Sequence, residues 1–514
     1  MMKEEFKKKS LLKITVVLLF TAAELYLLFN IFLMYKAGFI VLALTCLGGL
    51  AVITYIYTNK KAYTYRFLFP GLATFSLFVV FPMLFTFLTG FTNYSSKHIL
   101  SYERAKGFFL SQKYVSTDIK YDFKLFQGTK AEAFQIFLTK GNEKFLSDPI
   151  ILPLSGKVNV NAKPVKNAPQ TMALPFKDTI TRRDALKKIS ITLKKNQALS
   201  MVSLRQFGIQ HFLYRENDDK SLLNLETGQI IKPDFNVGFF VNENGQSVAP
   251  GFKTNIGLNN FIRIFTSSEI RQPFIKIFIW TVIFSSLSVL FTMSIGMFLG
   301  VLLTWQPLEY KNIYRTLLLL PYAVPAFISI LIFKGLFNAN FGEFNLILDA
   351  LFGIRPEWFS NAFLAKVMIL IVNTWLGYPY MMLLTIGYVQ SIPVTLYEAS
   401  AIDGSTPVNN FFRITLPLII RPMMPLLISC FSFNFNNFVL IFLLTKGRPD
   451  FLNAATPAGT TDILVSYTYR LAFQDSGQQF GFAASIATVV FIIVAILSII
   501  NIKLTLSDKS VVQR

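Results

Sequence analysis

Three groups of residues in the second half of this 514-residue chain have types and spacing that suit ligand chemistry. Asn373, Gly377 and Tyr380 stand at i, i+4 and i+7, so they share one face of a helix. Phe433, Asn434 and Asn437 fall within about one helical turn. Tyr322 lies between Pro321 and Pro325, which interrupt a long apolar run. Such interruptions are tolerated at membrane depth where backbone lines a cavity. Amides and phenols beside aromatic faces are what a neutral sugar needs: its hydroxyls require partners and its C–H faces stack on rings. None of these residues is acidic or basic, which argues against an ionic substrate. The same residues could instead join helices to one another, through interhelical hydrogen bonds worth about 0.6–2 kcal/mol. Spacing leaves both readings open.

The elements that must position these residues are long and apolar. Hydrophobic residues make up 53% of the chain, and they are concentrated in stretches almost free of charge. Stretches of about 20 residues cross a bilayer core of about 30 Å. Eight are expected, at 11–35, 38–58, 67–92, 276–304, 313–337, 364–389, 418–444 and 478–503. The first is read as an uncleaved helix, because its apolar run continues beyond the small residues Thr21-Ala22-Ala23. Lys60, Lys61, Arg66, Lys311, Arg315, Arg413, Arg421, Lys503 and Lys509 then fall on the side of the basic N-terminus. The positive-inside rule makes that side cytoplasmic and places both termini there.

Residues 93–275 then form an outside domain between 1–92, with three spans, and 276–514, with five. The block carries 26 Lys and Arg against 15 Asp and Glu, about half of the net charge of +21. Ile189, Ile191 and Leu193 alternate with Ser190, Thr192 and Lys194, and Pro250-Gly251 and Asn242–Gly245 punctuate the block. This pattern predicts a strand-rich domain with some helix. The two cysteines, Cys46 and Cys430, both lie in apolar runs, and His98 and His211 are isolated. No disulfide framework or metal-ligand spacing results.

The segment 391–417 couples these spans to something else. It reads Ser391-Ile392-Pro393, then Tyr397-Glu398-Ala399-Ser400-Ala401-Ile402-Asp403-Gly404, then Arg413-Ile414-Thr415-Leu416-Pro417. Ser391 suits an N-cap, Pro393 a first helical turn and Gly404 a left-handed helix end. Arg413 and Ile414 are expected to start a second helix. The result is a cytoplasmic helix–turn–helix whose small residues let another protein approach closely. From residues alone, it is also compatible with an ordinary amphipathic interface helix.

This segment resembles the EAA loop of ABC importer permeases. Glu398, Ala399, Gly404, Ile414, Leu416 and Pro417 match at full spacing, and Ser400 replaces the third motif residue. The resemblance implies that these seven residues contact an ATP-binding subunit. The chain has no phosphate loop of its own: Gly156-Lys157 is followed by Val158 and lacks the upstream glycine. ATP, and any cofactor role for it, is therefore expected on a partner.

The resemblance extends further. Pro321 to Phe337, Val372 to Tyr380, Phe431 to Val439 and Phe91 to Ser96 are similar to the maltose/maltodextrin permease family, as is the chain over essentially its whole length. The family implies an α-helical polytopic protein with a type I importer fold and a large periplasmic domain. It implies that Tyr322, Asn373, Gly377, Tyr380, Phe433, Asn434 and Asn437 line a sugar site. A family serine one turn after Tyr322 is Ala326 here, which puts one hydrogen bond in doubt. The implied partners are maltose or a maltodextrin, a second homologous permease, two ATP-binding subunits, a periplasmic maltose-binding protein and inner-membrane lipid. Nucleic acid is not expected, nor is catalysis by this chain. Two alternatives remain: a permease for another neutral oligosaccharide, and a secondary transporter. The second would need an ionisable relay, for which Glu24 and Lys334 are the candidates.

Overall fold

The computed structural model describes residues 2–128, 133–151, 156–193, 198–452, 454 and 456–512. Lys194 lies outside them. Two compact units are present, Met1–Phe87 and Leu88–Arg514.

In the first unit, helices Met2–Lys36 and Ile40–Thr58 pack on each other. Among the described side chains, from Ile14 on, the apolar ones face outward almost throughout, as lipid-facing surfaces do. Glu24 is not free: its carboxylate accepts the Thr54 hydroxyl across the pair. A polar side chain in such a helix is tolerated when it is hydrogen-bonded to its neighbour.

In the second unit, eight strands form one sheet: β1 (Lys113–Gln127), β2 (Ala133–Lys140), β3 (Glu143–Ser147), β4 (Ile150–Ile151), β5 (Val158–Pro164), β6 (Ile189–Thr192), β7 (Ala198–Ser203) and β8 (Gln206–Phe212). Their order is β1-β8-β7-β6-β5-β3-β2-β4, and β1 also pairs with β2, so the sheet closes on itself. Closure removes open edges. Alternating residues such as Ile189 and Ile191 point into the core with Leu125, Ile136, Leu138 and Phe207. A second, five-stranded sheet spans β9 (Tyr214–Glu216), β10 (Leu222–Asn224), β11 (Ile230–Asp234), β12 (Phe239–Asn242) and β13 (Ser247–Val248).

The neck that leads into these sheets, residues 90–100, is tied to the start of the last long helix, Phe480–Val512, to the turn before it and to the helix Asn259–Thr266. Ser96 donates to Gly477 O at 2.8 Å, Gly481 N donates to Tyr94 O at 2.8 Å, and Asn260 Nδ2 donates to both Gly90 O and Thr92 O at 2.9 Å.

Six helices among the described residues are long and apolar enough to cross a membrane. The second and fifth expected spans contain shorter apolar helices, Leu42–Thr58 and Ala326–Leu336, so the count of eight rests on the sequence. The most extensive helix pairing in the membrane part is Ser268–Thr304 against Ala362–Gln390. A Cβ on Gly296 would lie 2.5 Å from Met381 Cβ, and one on Gly300 would lie 2.7 Å from Thr385 Cβ. This Gly-x-x-x-Gly pair lets the two backbones approach, and close packing drives helix association in lipid.

Candidate functional site

Two helices break where the sequence placed prolines and asparagines. The first runs as Lys311–Leu318, Leu320–Ala323 and Ala326–Leu336. Val324 and Pro325 are extended, with ψ of 129° and 133°. A proline disfavours helical backbone in the residue before it, so the break falls at Val324. The Tyr378 hydroxyl donates to Leu318 O at 2.9 Å, which satisfies one carbonyl beside the interruption.

The second broken helix corrects an expectation. The stretch 418–444 is not one span but two helices, Leu416–Phe435 and Phe438–Leu444. Asn436 and Asn437 leave helical geometry between them, and the Asn437 side chain caps the second helix by accepting Leu440 N. The half-helices Ala326–Leu336 and Phe438–Leu444 pack together, joining Ile330, Phe337, Leu440, Ile441 and Leu444 in one core.

The three asparagines meet beside the second break. Asn373 Nδ2 donates to Asn434 Oδ1 at 2.8 Å, and Asn437 Nδ2 donates to Asn373 Oδ1 at 3.2 Å. Asn434 Nδ2 donates to Cys430 O at 2.9 Å. Asn373 and Asn434 are buried. Tyr322, Tyr380 and Cys430 are neighbours, and both tyrosines are exposed. Phe433 is 71% exposed. Gly377 serves packing: a Cβ there would lie 2.7 Å from Thr292 Cγ2. The asparagines bond helix to helix, and the aromatic residues stand open around them. Lys334, a candidate relay, donates to Leu443 O at 3.3 Å.

Beyond the second break, a buried ionic cluster holds the segment 445–475. Arg470 donates to Asp462 Oδ2 at 2.7 Å and to Asp450 Oδ1 at 2.6 Å. Ser466 Oγ and Gly459 N each donate to Asp462 at 2.8 Å. Burial pushes the Asp462 carboxyl up to about 6, even though Arg470 and these donors pull it down. Gly447 (φ +81°) presses on the Asp462 carboxylate, where a Cβ would have no room. No local sequence signal announces this cluster. The Gly296–Gly300 pair, by contrast, is a small-residue motif that the sequence shows and the reading of the spans above passed over.

The loop 391–417 is built differently from expectation at both ends. Ser391 is not an N-cap: it ends Ala362–Gln390, and its hydroxyl donates to Tyr388 O at 2.7 Å. Pro393 takes the cap position of Val394–Ile402. The second helix starts at Pro407, earlier than Arg413, because Thr406 accepts Asn409 N and Pro407 suits the first position. A π-turn, Phe411–Thr415, then leads into Leu416–Phe435. Gly404 adopts φ +74° and ends the first helix. The two helices are pinned by Ser400 on Asn410 and by Tyr397 OH on Thr415 Oγ1 at 2.8 Å. Glu398 and Ala399 are exposed, as are Ile402, Val408 and Phe412. Ile414 is half-buried, Leu416 packs inward against Ile419 and Met423, and Pro417 is exposed. The structure thus presents a small-residue helix end ringed by exposed apolar groups.

Residues 100–257 match the model of the maltose transport system permease protein MalF P2 domain. Residues 292–512 match that of the binding-protein-dependent transport system inner membrane component. Over 494 residues, the chain is 46% identical to the maltose/maltodextrin transport system permease protein MalF of Yersinia pestis, covering 95% of this chain and 93% of that one. It is 46% identical to the protein of the same name from Klebsiella aerogenes, over 92% of this chain and 93% of that one. With the one from Vibrio parahaemolyticus, identity is 45% over 92% and 91%.

Proposed function

The chain belongs to the MalF family of maltose/maltodextrin transport system permeases, and from that membership we propose that it forms part of the path by which an ATP-driven importer moves maltose and maltodextrins across the inner membrane. The observation that carries this reading is the packing of the half-helices that follow two interruptions, at Val324–Pro325 and Asn436–Asn437, with the Asn373–Asn434 pair beside the second. Broken helices place unpaired backbone and polar side chains at membrane depth, where a translocated solute needs them.

In this reading, 1–92 and 276–514 span the membrane with both termini in the cytoplasm, and 93–275 lies in the periplasm. Tyr322, Tyr380 and Phe433 offer the sugar their rings and hydroxyls. Asn434 and Asn437 exchange their bonds to Asn373 for bonds to sugar, and Gly377 keeps the wall thin. A second homologous permease completes the cavity. Two ATP-binding subunits supply the energy, one of them docking on the exposed end of the helix Val394–Ile402 through Glu398, Ala399, Ser400 and Gly404. Leu416 and Pro417 pass that motion into the helix Leu416–Phe435, with Ile414 between. A periplasmic maltose-binding protein delivers sugar to the outside domain. ATP binding then turns the cavity outward, and hydrolysis returns it inward. The chain itself is a non-catalytic subunit.

Uptake into proteoliposomes tests the reading. The complex purified through this chain should accumulate radiolabelled maltose when supplied with binding protein and internal ATP. Accumulation of a different neutral oligosaccharide, and not maltose, would transfer the role to that sugar. Uptake without ATP would point to secondary transport.

A further inference from the structure

The long helix Ser268–Thr304 begins beside a cavity of about 320 Å³, on the side of the strand-rich domain. Its walls come from Ser268, Gln272 and Lys276 on the helix and from Asp450, Phe451 and Thr460 across from it. The volume lies within the roughly 300–1,000 Å³ of small-molecule sites.

Two groups beside this cavity have no bonded partner among the described residues. Lys276 is exposed at the mouth of the cavity; it lays its ammonium 5.5 Å from the centroid of the Phe451 ring and makes no ion pair among the described residues. The nearby carboxylate, Asp450, is already committed to Arg470 at 2.6 Å and to Arg448 at 3.9 Å. The Thr460 hydroxyl oxygen is buried and has no hydrogen-bond partner among the described residues. A buried hydroxyl without an acceptor is costly. Rotation of the Thr460 side chain about χ1 turns its hydroxyl into the cavity, where one anionic oxygen accepts from it and from Lys276.

The surface below the cavity indicates which molecule carries that oxygen. Ile275, Ile279 and Ile283, at i, i+4 and i+8, are all exposed on the helix face that bears Gln272 and Lys276. An apolar stripe therefore runs from the cavity along the span. Leu452 stands fully exposed at the rim. A charged cup at the head of an apolar stripe fits a lipid, with its headgroup above and an acyl chain below. Arg470 and Arg448 offset the half-exposed carboxylate of Asp450, leaving Lys276 as the uncompensated charge of the cup, which favours an anionic over a zwitterionic lipid.

We propose that this cavity holds the headgroup of an anionic phospholipid. The phosphodiester sits on Lys276 and Thr460, the polar headgroup on Gln272 and Ser268, and one acyl chain along Ile275, Ile279 and Ile283.

Native mass spectrometry of the purified complex, stripped of lipid and then exposed to micelles with equal parts phosphatidylglycerol and phosphatidylethanolamine, tests the site. Wild type should retain phosphatidylglycerol over phosphatidylethanolamine. Lys276→Met should lower that retention about tenfold, the loss of one charge-assisted hydrogen bond, while Lys276→Arg retains it. Thr460→Val should weaken retention in the same direction, and it decides the matter if Lys276→Met fails to assemble. Excess inorganic phosphate should leave the lipid in place. Equal retention by wild type and both variants, or equal retention of the two lipids, would overturn the proposal. So would displacement by phosphate, which would make the cavity a site for a free anion. If the face is covered by the second permease and not by lipid, no phosphatidylglycerol will be retained, and the proposal falls.

Discussion

Asn373 Nδ2 donates to Asn434 Oδ1 at 2.8 Å between two buried side chains on different helices. Asn437 closes the chain by donating to the Asn373 oxygen at 3.2 Å. In this state the amides satisfy one another, so a sugar must compete with them for the same bonds. The double variant Asn434→Ala/Asn437→Ala should cut maltose uptake sharply while the complex still assembles, as measured by uptake and gel filtration side by side. Assembly lost in step with uptake would leave these residues as helix glue only.

Asn373→Ala alone should cost about 1–3 kcal/mol, because it leaves the Asn434 oxygen buried and unpaired. Adding Asn434→Ala should recover part of that loss, with a coupling of about 0.6–2 kcal/mol in a double-mutant cycle on thermal unfolding. Strict additivity would show that the bond contributes nothing to helix association.

Gly404 sits at φ +74° with open space where a Cβ would lie. A side chain there strains the backbone by about 1–2 kcal/mol and projects from the exposed loop. Gly404→Asp should therefore uncouple ATP hydrolysis from transport: uptake falls while the chain remains folded in the membrane. Gly404→Ala should do so less. Normal uptake and normal binding of ATPase subunits in Gly404→Asp would remove the docking role from this loop.

Gly300 has no room for a larger residue, with Thr385 Cβ 2.7 Å from its virtual Cβ. Gly300→Leu should separate the helices Ser268–Thr304 and Ala362–Gln390 and lower the yield of folded chain by gel filtration. A Gly300→Leu chain that folds and elutes as wild type would contradict this packing.

His98 is expected to give the strand-rich domain a pH dependence. Its Nδ1 bonds Ser95 Oγ at 2.8 Å, its ring packs on Phe239 at 4.5 Å, and Lys97 is nearby. Burial, more than Lys97, holds its pKa below the ordinary 6.5. The unfolded chain thus takes up a proton that the folded chain resists. The contribution is complete above that ordinary value and is lost as pH falls toward the folded one. Proteolysis of the neck 92–100 in the intact complex should quicken between about pH 7 and pH 5, and His98→Gln should flatten the change. Equal acceleration in wild type and His98→Gln would place the pH dependence elsewhere.

Much of the architecture was legible because it depends on local pattern. Charge-free runs marked the long helices, alternation marked strands such as Ile189–Thr192, and Pro325 marked a break that the backbone makes one residue earlier. Spacing brought Asn373, Asn434 and Asn437 into consideration, but not the bonds between them. The helix break at Asn436–Asn437 went unread because asparagine is a weak breaker until its side chain caps the next helix. Thr406-Pro407 was a readable start signal that the later motif residues overshadowed. The Asp450–Arg470–Asp462 cluster was out of reach, since it assembles residues whose partners only the tertiary structure selects.

ATP hydrolysis by the complex that purifies with this chain tests the importer assignment most directly, with and without the periplasmic binding protein and maltose. Strong stimulation is expected when both are present, and little from either alone. An ATPase that responds to neither would contradict the sugar assignment, and the absence of any ATPase from the purified complex would contradict the importer itself.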